Sequence, residues 1–263
     1  MNPDVIPKHW TDDRERLFER IVAPPRLLVA SDFDGTLAPL RPRPDDASLP
    51  PEAAAELRRL AKIPNTSLAI ISGRALSDLR ERIPVPVDCL AGSHGLEMNG
   101  HGLDGDRVRG AAVRPWLDAL GKELGRRLHA VPGLMIERKR LGLAVHYRTV
   151  DPARWRGIGR VVEETVAHEP SVRLQRGHCV LEILPSSSWG KGDALKQIAS
   201  RLGIPRSAVV YCGDDTTDEH AFLGIPCGIS VSVGEQRPSA AQWMARGPED
   251  MREFLAWVAD LRE

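Results

Sequence analysis

The sequence predicts an α/β fold: a parallel-sheet core carrying an inserted α+β segment. Short apolar runs recur at Leu27–Ser31 (LLVAS), Leu68–Ser72 (LAIIS) and Ala208–Cys212 (AVVYC). Each has strand length and lacks polar alternation, the pattern of strands buried on both faces. Turns and amphipathic stretches follow them, so strands and helices alternate as right-handed crossover units do. The intervals are unequal. Asp32 to Ser72 is one βα unit, whereas Ser72 to Lys191 holds far more chain than one unit needs.

Behind the first run, SLPPEAAAELRRLAKIP places prolines at a helix N-terminus, ahead of alanines and leucines. Helices are expected again after Gly73 (RALSDLRERI), Gly190 (KGDALKQIASRLGI) and Asp215 (TTDEHAFLGI). Between roughly Leu103 and Leu184 the pattern changes. PWLDALGKELGRRLHA reads as a helix, and LMIERKR with LGLAVHYRTV as a hairpin. PARWRGIGRVVEETVAHE reads as a second helix, and SVRLQ with HCVLEILP as a second hairpin. An insertion of about 80 residues can hold its own small core. The expected domains are a Rossmann-like core over residues 1–102 and 185–263 and an inserted domain over 103–184.

The 263 residues carry zero formal net charge and 5% aromatics. That balance argues against nucleic acid as a partner. The four cysteines, Cys89, Cys179, Cys212 and Cys227, form no C-x-x-C pair, which speaks for reduced thiols over a zinc or disulfide framework. The stretch MNPDVIPKHWTDDRERLFERIV has no apolar signal core, and no apolar run approaches the roughly 20 residues of a membrane span. A soluble, cytoplasmic protein is expected, with no membrane partner.

Ligands of open parallel sheets gather beyond the carboxyl ends of the strands. Asp32, Ser72 and Asp214 are expected at such ends, and Lys191 opens a helix just after the insertion. The carboxylates of DFD and GDDTTDE form a cluster of hard oxygens that calls for a cation, and a few carboxylates plus waters suit Mg²⁺. With an ammonium and a hydroxyl alongside, the set suits a phosphoryl group. A carboxylate can attack it and form an aspartyl-phosphate. Asp34 suits the proton work, since a leaving alkoxide needs a proton and water then needs a base. DFDGT is not an EF-hand loop, because Gly35 is the fourth position rather than the sixth, and GKGDA is not a P-loop. Taken singly, an Asp-Gly or Ser-Gly pair is an ordinary turn and a helical lysine an ordinary surface residue. The ordered conjunction carries the chemistry. Asp45 and Asp46 read as surface charge.

The insertion holds 15 Lys and Arg against 10 Asp and Glu, a basic excess suited to an anionic substrate over an acidic base, or to plain surface arginine. In its hairpins Glu137 shares a strand face with Lys139, and His146 with Arg148, opposite Leu143, Val145 and Tyr147. Glu182 shares a face with Val180 and Leu184. One apolar face can pack on helices; the other is either a charged surface for sugar hydroxyls or simply wet.

DFDGTL, ISGR, KGDAL and GDDTTDE resemble the four ordered motifs of the haloacid dehalogenase superfamily of phosphatases. The resemblance implies Asp32 as nucleophile and Asp34 as general acid and base, its carbonyl also helping to bind Mg²⁺. Ser72, Gly73 and Arg74 would bind the phosphoryl group, and Lys191 would balance charge. Asp214 would ligate Mg²⁺, with Asp215 and Asp218 in support; no chemistry falls to Thr36. The insertion resembles a type-2 cap. GSHGLEM, IERKRLGLAVHYR, CVLEILPSSSWGKGDAL and YCGDDTTDEHAF are similar to the trehalose-6-phosphate phosphatase family. That likeness implies hydrolysis of trehalose 6-phosphate to trehalose and phosphate, with His94, Glu97, Lys139, His146, Arg148 and Glu182 as sugar contacts. Gly142 stands where the family leads one to expect serine. A separate trehalose-phosphate synthase is an implied functional link, and the chain looks like a stand-alone phosphatase. Other readings are a different sugar-phosphate phosphatase, a phosphomannomutase-like enzyme, or a non-catalytic sugar-phosphate-binding regulatory subunit.

Overall fold

The computed structural model describes residues 5–106 and 110–263, side chains 110–114 excepted. In chain order the strands are β1 (Lys8–His9), β2 (Leu27–Ser31), β3 (Thr66–Ile71), β4 (Cys89–Gly92), β5 (Glu97–Asn99), β6 (Gly105–Asp106), β7 (Met135–Arg138), β8 (Leu143–His146), β9 (Val172–Gly177), β10 (Val180–Pro185), β11 (Val209–Gly213), β12 (Ile229–Val233) and β13 (Trp243–Ala245). The α-helices are α1 (Arg14–Val22), α2 (Pro51–Leu60), α3 (Leu76–Arg82), α4 (Gly110–Leu128), α5 (Trp155–Val166), α6 (Lys191–Arg201), α7 (Glu219–Gly224) and α8 (Pro248–Arg262). Two compact units result, Met1–Gly105 with Trp189–Glu263, and Asp106–Ser188.

The larger sheet runs β1-β13-β12-β11-β2-β3-β4-β5-β6. Its central strands β12, β11, β2, β3 and β4 pair in parallel, and β5 returns antiparallel. Alternate residues of one strand enter opposite cores, which is why the sequence runs apolar without a break. Leu27 and Val29 join one hydrophobic cluster with Leu17, Leu57, Phe254 and Val258 from α1, α2 and α8. Leu28 and Ala30 join the other with Leu195, Ile198 and Phe222 from α6 and α7. Each large side chain so buried contributes roughly 1.5–3 kcal/mol.

Sequence periodicity located β2, β3 and β11 to within two residues. It did not single out β1, β4, β5, β12 or β13, or the helices α1 and α8. The strands among these are too short for their alternation to stand out; α1 and α8 each bury one face, a pattern the sequence does carry. No described helix is long and apolar enough to cross a membrane, and the four cysteines form no disulfide.

The smaller sheet is antiparallel, in the order β7-β8-β10-β9. Glu137, Ala144, Glu182 and Gln175 lie opposite one another across its four strands. The same face therefore carries His146, Val180, Leu184 and Arg173. The reverse face carries Leu143, Val145, Leu181 and Ile183, all buried. One expectation fails. The β8 alternation stops at His146, and a turn closed by Val150 N–H to the Tyr147 carbonyl (3.0 Å) takes over. Arg148 therefore lies in a turn, its Nη2 donating to the His178 carbonyl at 3.1 Å, and does not continue the His146 face. At Gly142 a Cβ would stand 2.8 Å from the Ile183 carbonyl oxygen, so serine there would require the β10 backbone to move.

Candidate active site

Three adjacent strands deliver the site. β11, β2 and β3 are neighbours in register, with Cys212 beside Ser31 and Ser31 beside Ile70. The residues that follow, Asp214, Asp32 and Ser72, therefore leave the sheet along one edge. Asp32 N–H donates to the Cys212 carbonyl at 2.8 Å, which fixes the nearer two loops to each other.

Lys191 is the first residue of α6, and its ammonium is buried. Nζ donates to Asp32 Oδ2 at 2.9 Å and to Asp218 Oδ1 at 2.8 Å. Asp218 is fully buried and takes two further bonds: Tyr211 OH donates to Oδ1 at 2.6 Å and Asp215 N–H to Oδ2 at 3.0 Å. Thr36, also buried, donates its hydroxyl to Asp214 Oδ1 at 3.4 Å. Two glycines make room. A Cβ on Gly35, which has φ +78°, would stand 2.0 Å from Asp214 Oδ2, and one on Gly213 would stand 2.2 Å from Asp218 Cγ.

Charge is unbalanced here. Carboxylate oxygens of Asp32, Asp214 and Asp218 all lie within 4.8 Å of one another, with Lys191 between two of them. Burial pushes Asp32 up to about 7, against the pull of Lys191 and with Asp218 adding to the rise. Burial, then Asp32 and Asp218, hold Asp214 well above the ordinary carboxylate range. Burial opposes the charge on Lys191, but Asp218 and Asp32 outweigh it and keep the ammonium protonated. Asp32 Oδ1 is buried and accepts no hydrogen bond from any described residue. An orphaned carboxylate oxygen amid like charges fits a hard divalent cation, whose charge would reverse these shifts.

Ser72 is buried and accepts the Arg74 N–H at 3.2 Å. Its carbonyl takes the His94 N–H at 2.9 Å, and the Arg74 carbonyl takes the Ser93 N–H at 2.6 Å. These two bonds stitch the loop after β4 to the ISGR turn beside Gly73. Ser93 Oγ in turn donates to Glu97 Oε1 at 2.7 Å. His94 and Glu97 are both buried. Arg74 holds Asp34 through two bonds at 2.6 and 2.7 Å.

In the smaller unit, Lys139 Nζ and Glu182 Oε1 form a buried pair at 2.6 Å, and His146 Nε2 meets Glu137 Oε2 at 2.8 Å. Sequence reasoning missed Tyr211 and Asp78, and it gave Thr36 no chemistry. It also missed Arg173, whose Nη1 donates to Gln175 Oε1 at 2.6 Å on the Glu182 face. The alternation of VRLQRG held that last signal, and the four-residue spacing of Arg74, Asp78 and Arg82 held that of Asp78; nothing local marked Tyr211.

A doubly wound sheet with a carboxylate–lysine–carboxylate cluster beyond its strand ends defines the class: an α/β protein with a buried, charged cluster where ligands of such sheets gather. The family model of trehalose-phosphatase matches residues 30–247, and the chain belongs to that family. A trehalose-phosphate phosphatase of Mycobacterium marinum is 35% identical over 244 residues, covering 89% of this chain and 62% of that protein. Trehalose-phosphate phosphatase B of Arabidopsis thaliana is 32% identical over 247 residues, 88% of this chain and 65% of its own length. The chain thus spans under two thirds of these relatives. The C-terminal domain of the Candida albicans trehalose-6-phosphate phosphatase has the same fold, with TM-score 0.83, 24% identity and coverage of 98% and 99%.

Lys191→Met removes the ammonium that lies between two buried carboxylates. It should lower unfolding free energy by about 3–5 kcal/mol at pH 8. The folded-state carboxylates would then titrate far above their unfolded values, so the penalty should shrink as pH falls and they protonate. Urea unfolding at pH 8 and pH 5.5 measures both. An equal penalty at the two pH values would contradict this electrostatic account.

Proposed function

We propose that the protein is a divalent-metal-dependent phosphatase that hydrolyses trehalose 6-phosphate to trehalose and phosphate through an aspartyl-phosphate. The observation that carries this is the buried contact of Lys191 with Asp32 beside Asp214 and Asp218, together with family membership. A metal, Mg²⁺ by the hardness of its donors, would be held by Asp32, Asp214 and the Asp34 carbonyl, with Asp215 and Asp218 supporting. It would supply charge neutralisation for the phosphoryl oxygens.

This chain's own groups do the rest. An Asp32 carboxylate oxygen bonds to phosphorus as the bond to the sugar oxygen breaks. Asp34 gives its proton to that departing oxygen. Water then bonds to phosphorus, returns a proton to Asp34, and the Asp32–phosphorus bond breaks. Lys191 favours the ionised form of Asp32 and offsets the phosphoryl charge, and Ser72 and Gly73 orient the phosphoryl oxygens. The smaller unit would act as a type-2 cap, with the polar face of its sheet reading the sugar through Lys139, His146 and Glu182. Arg148 would do so from its turn, and His94 and Glu97 from the larger unit. A separate synthase would supply the substrate. A cytoplasmic setting accords with cysteines that form no disulfide.

Phosphate release across a panel of sugar phosphates, with Mg²⁺ and with EDTA, tests this reading. Trehalose 6-phosphate should lead the panel, EDTA should abolish turnover, and Asp32→Asn should be inactive with an unchanged melting profile. Turnover of the panel by well-folded Asp32→Asn would sink the covalent route; preference for another sugar would sink the substrate assignment.

Glu182→Gln tests the sugar-reading face while keeping side-chain shape. Its kcat/KM for trehalose 6-phosphate should fall roughly 10- to 150-fold, the value of one charged hydrogen bond. On p-nitrophenyl phosphate it should hold. Equal loss on both esters would assign Glu182 to folding or core chemistry.

A further inference from the structure

Four of the five N–H donors on the buried Arg74 guanidinium are bound by protein acceptors. Nε and Nη2 donate to Asp34 Oδ2 and Oδ1 at 2.6 and 2.7 Å. Nη1 donates to Asp78 Oδ2 at 2.6 Å, and Nη2 reaches the Pro44 carbonyl at 2.7 Å. Below it lies the buried Phe33 ring, 5.4 Å from the guanidinium carbon. Asp78 is fixed in turn by Arg82 Nε at 2.8 Å, one turn further along α3, and Arg82 also binds the Asp45 and Ala47 carbonyls. Burial opposes the charge of Arg74, but Asp34 and Asp78 outweigh it and hold the group above the ordinary arginine range.

An arginine that binds substrate phosphate presents a free fork to it. Here the fork closes on a carboxylate of the protein itself. We propose that Arg74 is the positioning residue of Asp34, and that Asp78, braced by Arg82, aims it. The inference rests on the phosphatase reading above. Asp34 sits just before the left-handed Gly35, and its side chain is about a third exposed. Alone, its carboxylate could turn about two bonds. Two parallel N–H donors fix both oxygens at once, and a proton donor must lie within hydrogen-bond reach of the departing oxygen. The nucleophile is held separately, since Asp32 takes its bonds from Lys191 and through Cys212. Bond formation at Asp32 therefore does not require Arg74, whereas protonation of the leaving group does.

Leaving-group dependence separates the two. A sugar alkoxide needs a proton to depart; p-nitrophenolate leaves as a stable anion without one. Arg74→Lys keeps the charge and loses the fork. Its kcat/KM for trehalose 6-phosphate should fall at least about tenfold, within the range that acid–base catalysis supplies. Its kcat/KM for p-nitrophenyl phosphate should stay close to that of the unmodified protein. Because water attack on the phosphorylated Asp32 still needs Asp34 as base, the variant should show a pre-steady-state burst of p-nitrophenolate, about one per site. Asp78→Asn leaves Arg74 in place and should move both readouts the same way, so the test survives if Arg74→Lys misfolds. Added guanidinium should restore sugar-phosphate turnover to Arg74→Ala. Equal losses on both esters in folded variants would make Arg74 a phosphoryl ligand and overturn the proposal. Unchanged rates, or faster hydrolysis of trehalose 6-phosphate, would overturn it too. Absence of turnover on either ester by the unmodified protein would instead refute the phosphatase reading.

Discussion

One buried ammonium organises the larger unit's carboxylates. Lys191 bridges Asp32 and Asp218, residues that come from opposite ends of the chain. Its position at the first turn of α6 is unfavourable for a cation, because the helix dipole is positive there. Only the carboxylates make it stable, and they in turn would be intolerable without it. Asp193 offsets part of the dipole by accepting the Gly190 N–H at 3.2 Å. Tyr211 OH, buried within the sheet, fixes the Asp218 oxygen that Lys191 uses. Residues with no part in the chemistry thus decide where the ammonium points.

The sheet supplies the coordinates for this arrangement. β2, β3 and β11 lie side by side and parallel, so their ends carry three polar residues to one edge. Burying both faces of these strands gives a rigid base, against which displacement of Asp32 by even an ångström would disturb packed side chains. Gly35 and Gly213 remove side-chain bulk where Asp214 and Asp218 must pass. The result is a pocket of charge that protein groups alone leave uncompensated, which is the physical case for a cation.

Much of this was legible in the sequence. Asp32, Ser72, Lys191 and Asp214 could be placed at strand ends or a helix start because each follows or opens a recognisable apolar run. The polar face of the smaller sheet was legible from period-two alternation at Glu137, Lys139, His146 and Glu182. Arg148 was not, since a strand's end is set by the turn that replaces it, here Tyr147 to Val150. Nor was the partnership of Arg74 with Asp34 and Asp78. Arg74 and Asp78 are four positions apart, but Asp34 lies 40 positions from Arg74, and that contact exists only once β2 and β3 lie side by side. Short outer strands such as β1 and β13 carry almost no periodic signal and are defined by their partners.

The central claim is that Lys191 and the surrounding carboxylates make Asp32 the atom donor to phosphorus. Rapid acid quench during turnover of trehalose 6-phosphate, followed by peptide mass mapping, tests it most directly. The account predicts one phosphoryl group on the peptide containing Asp32, increased in amount when Asp34 is replaced by asparagine and p-nitrophenyl phosphate is the donor. Sustained turnover with no phosphorylated peptide at any quench time, and oxygen transfer straight from water, would contradict it.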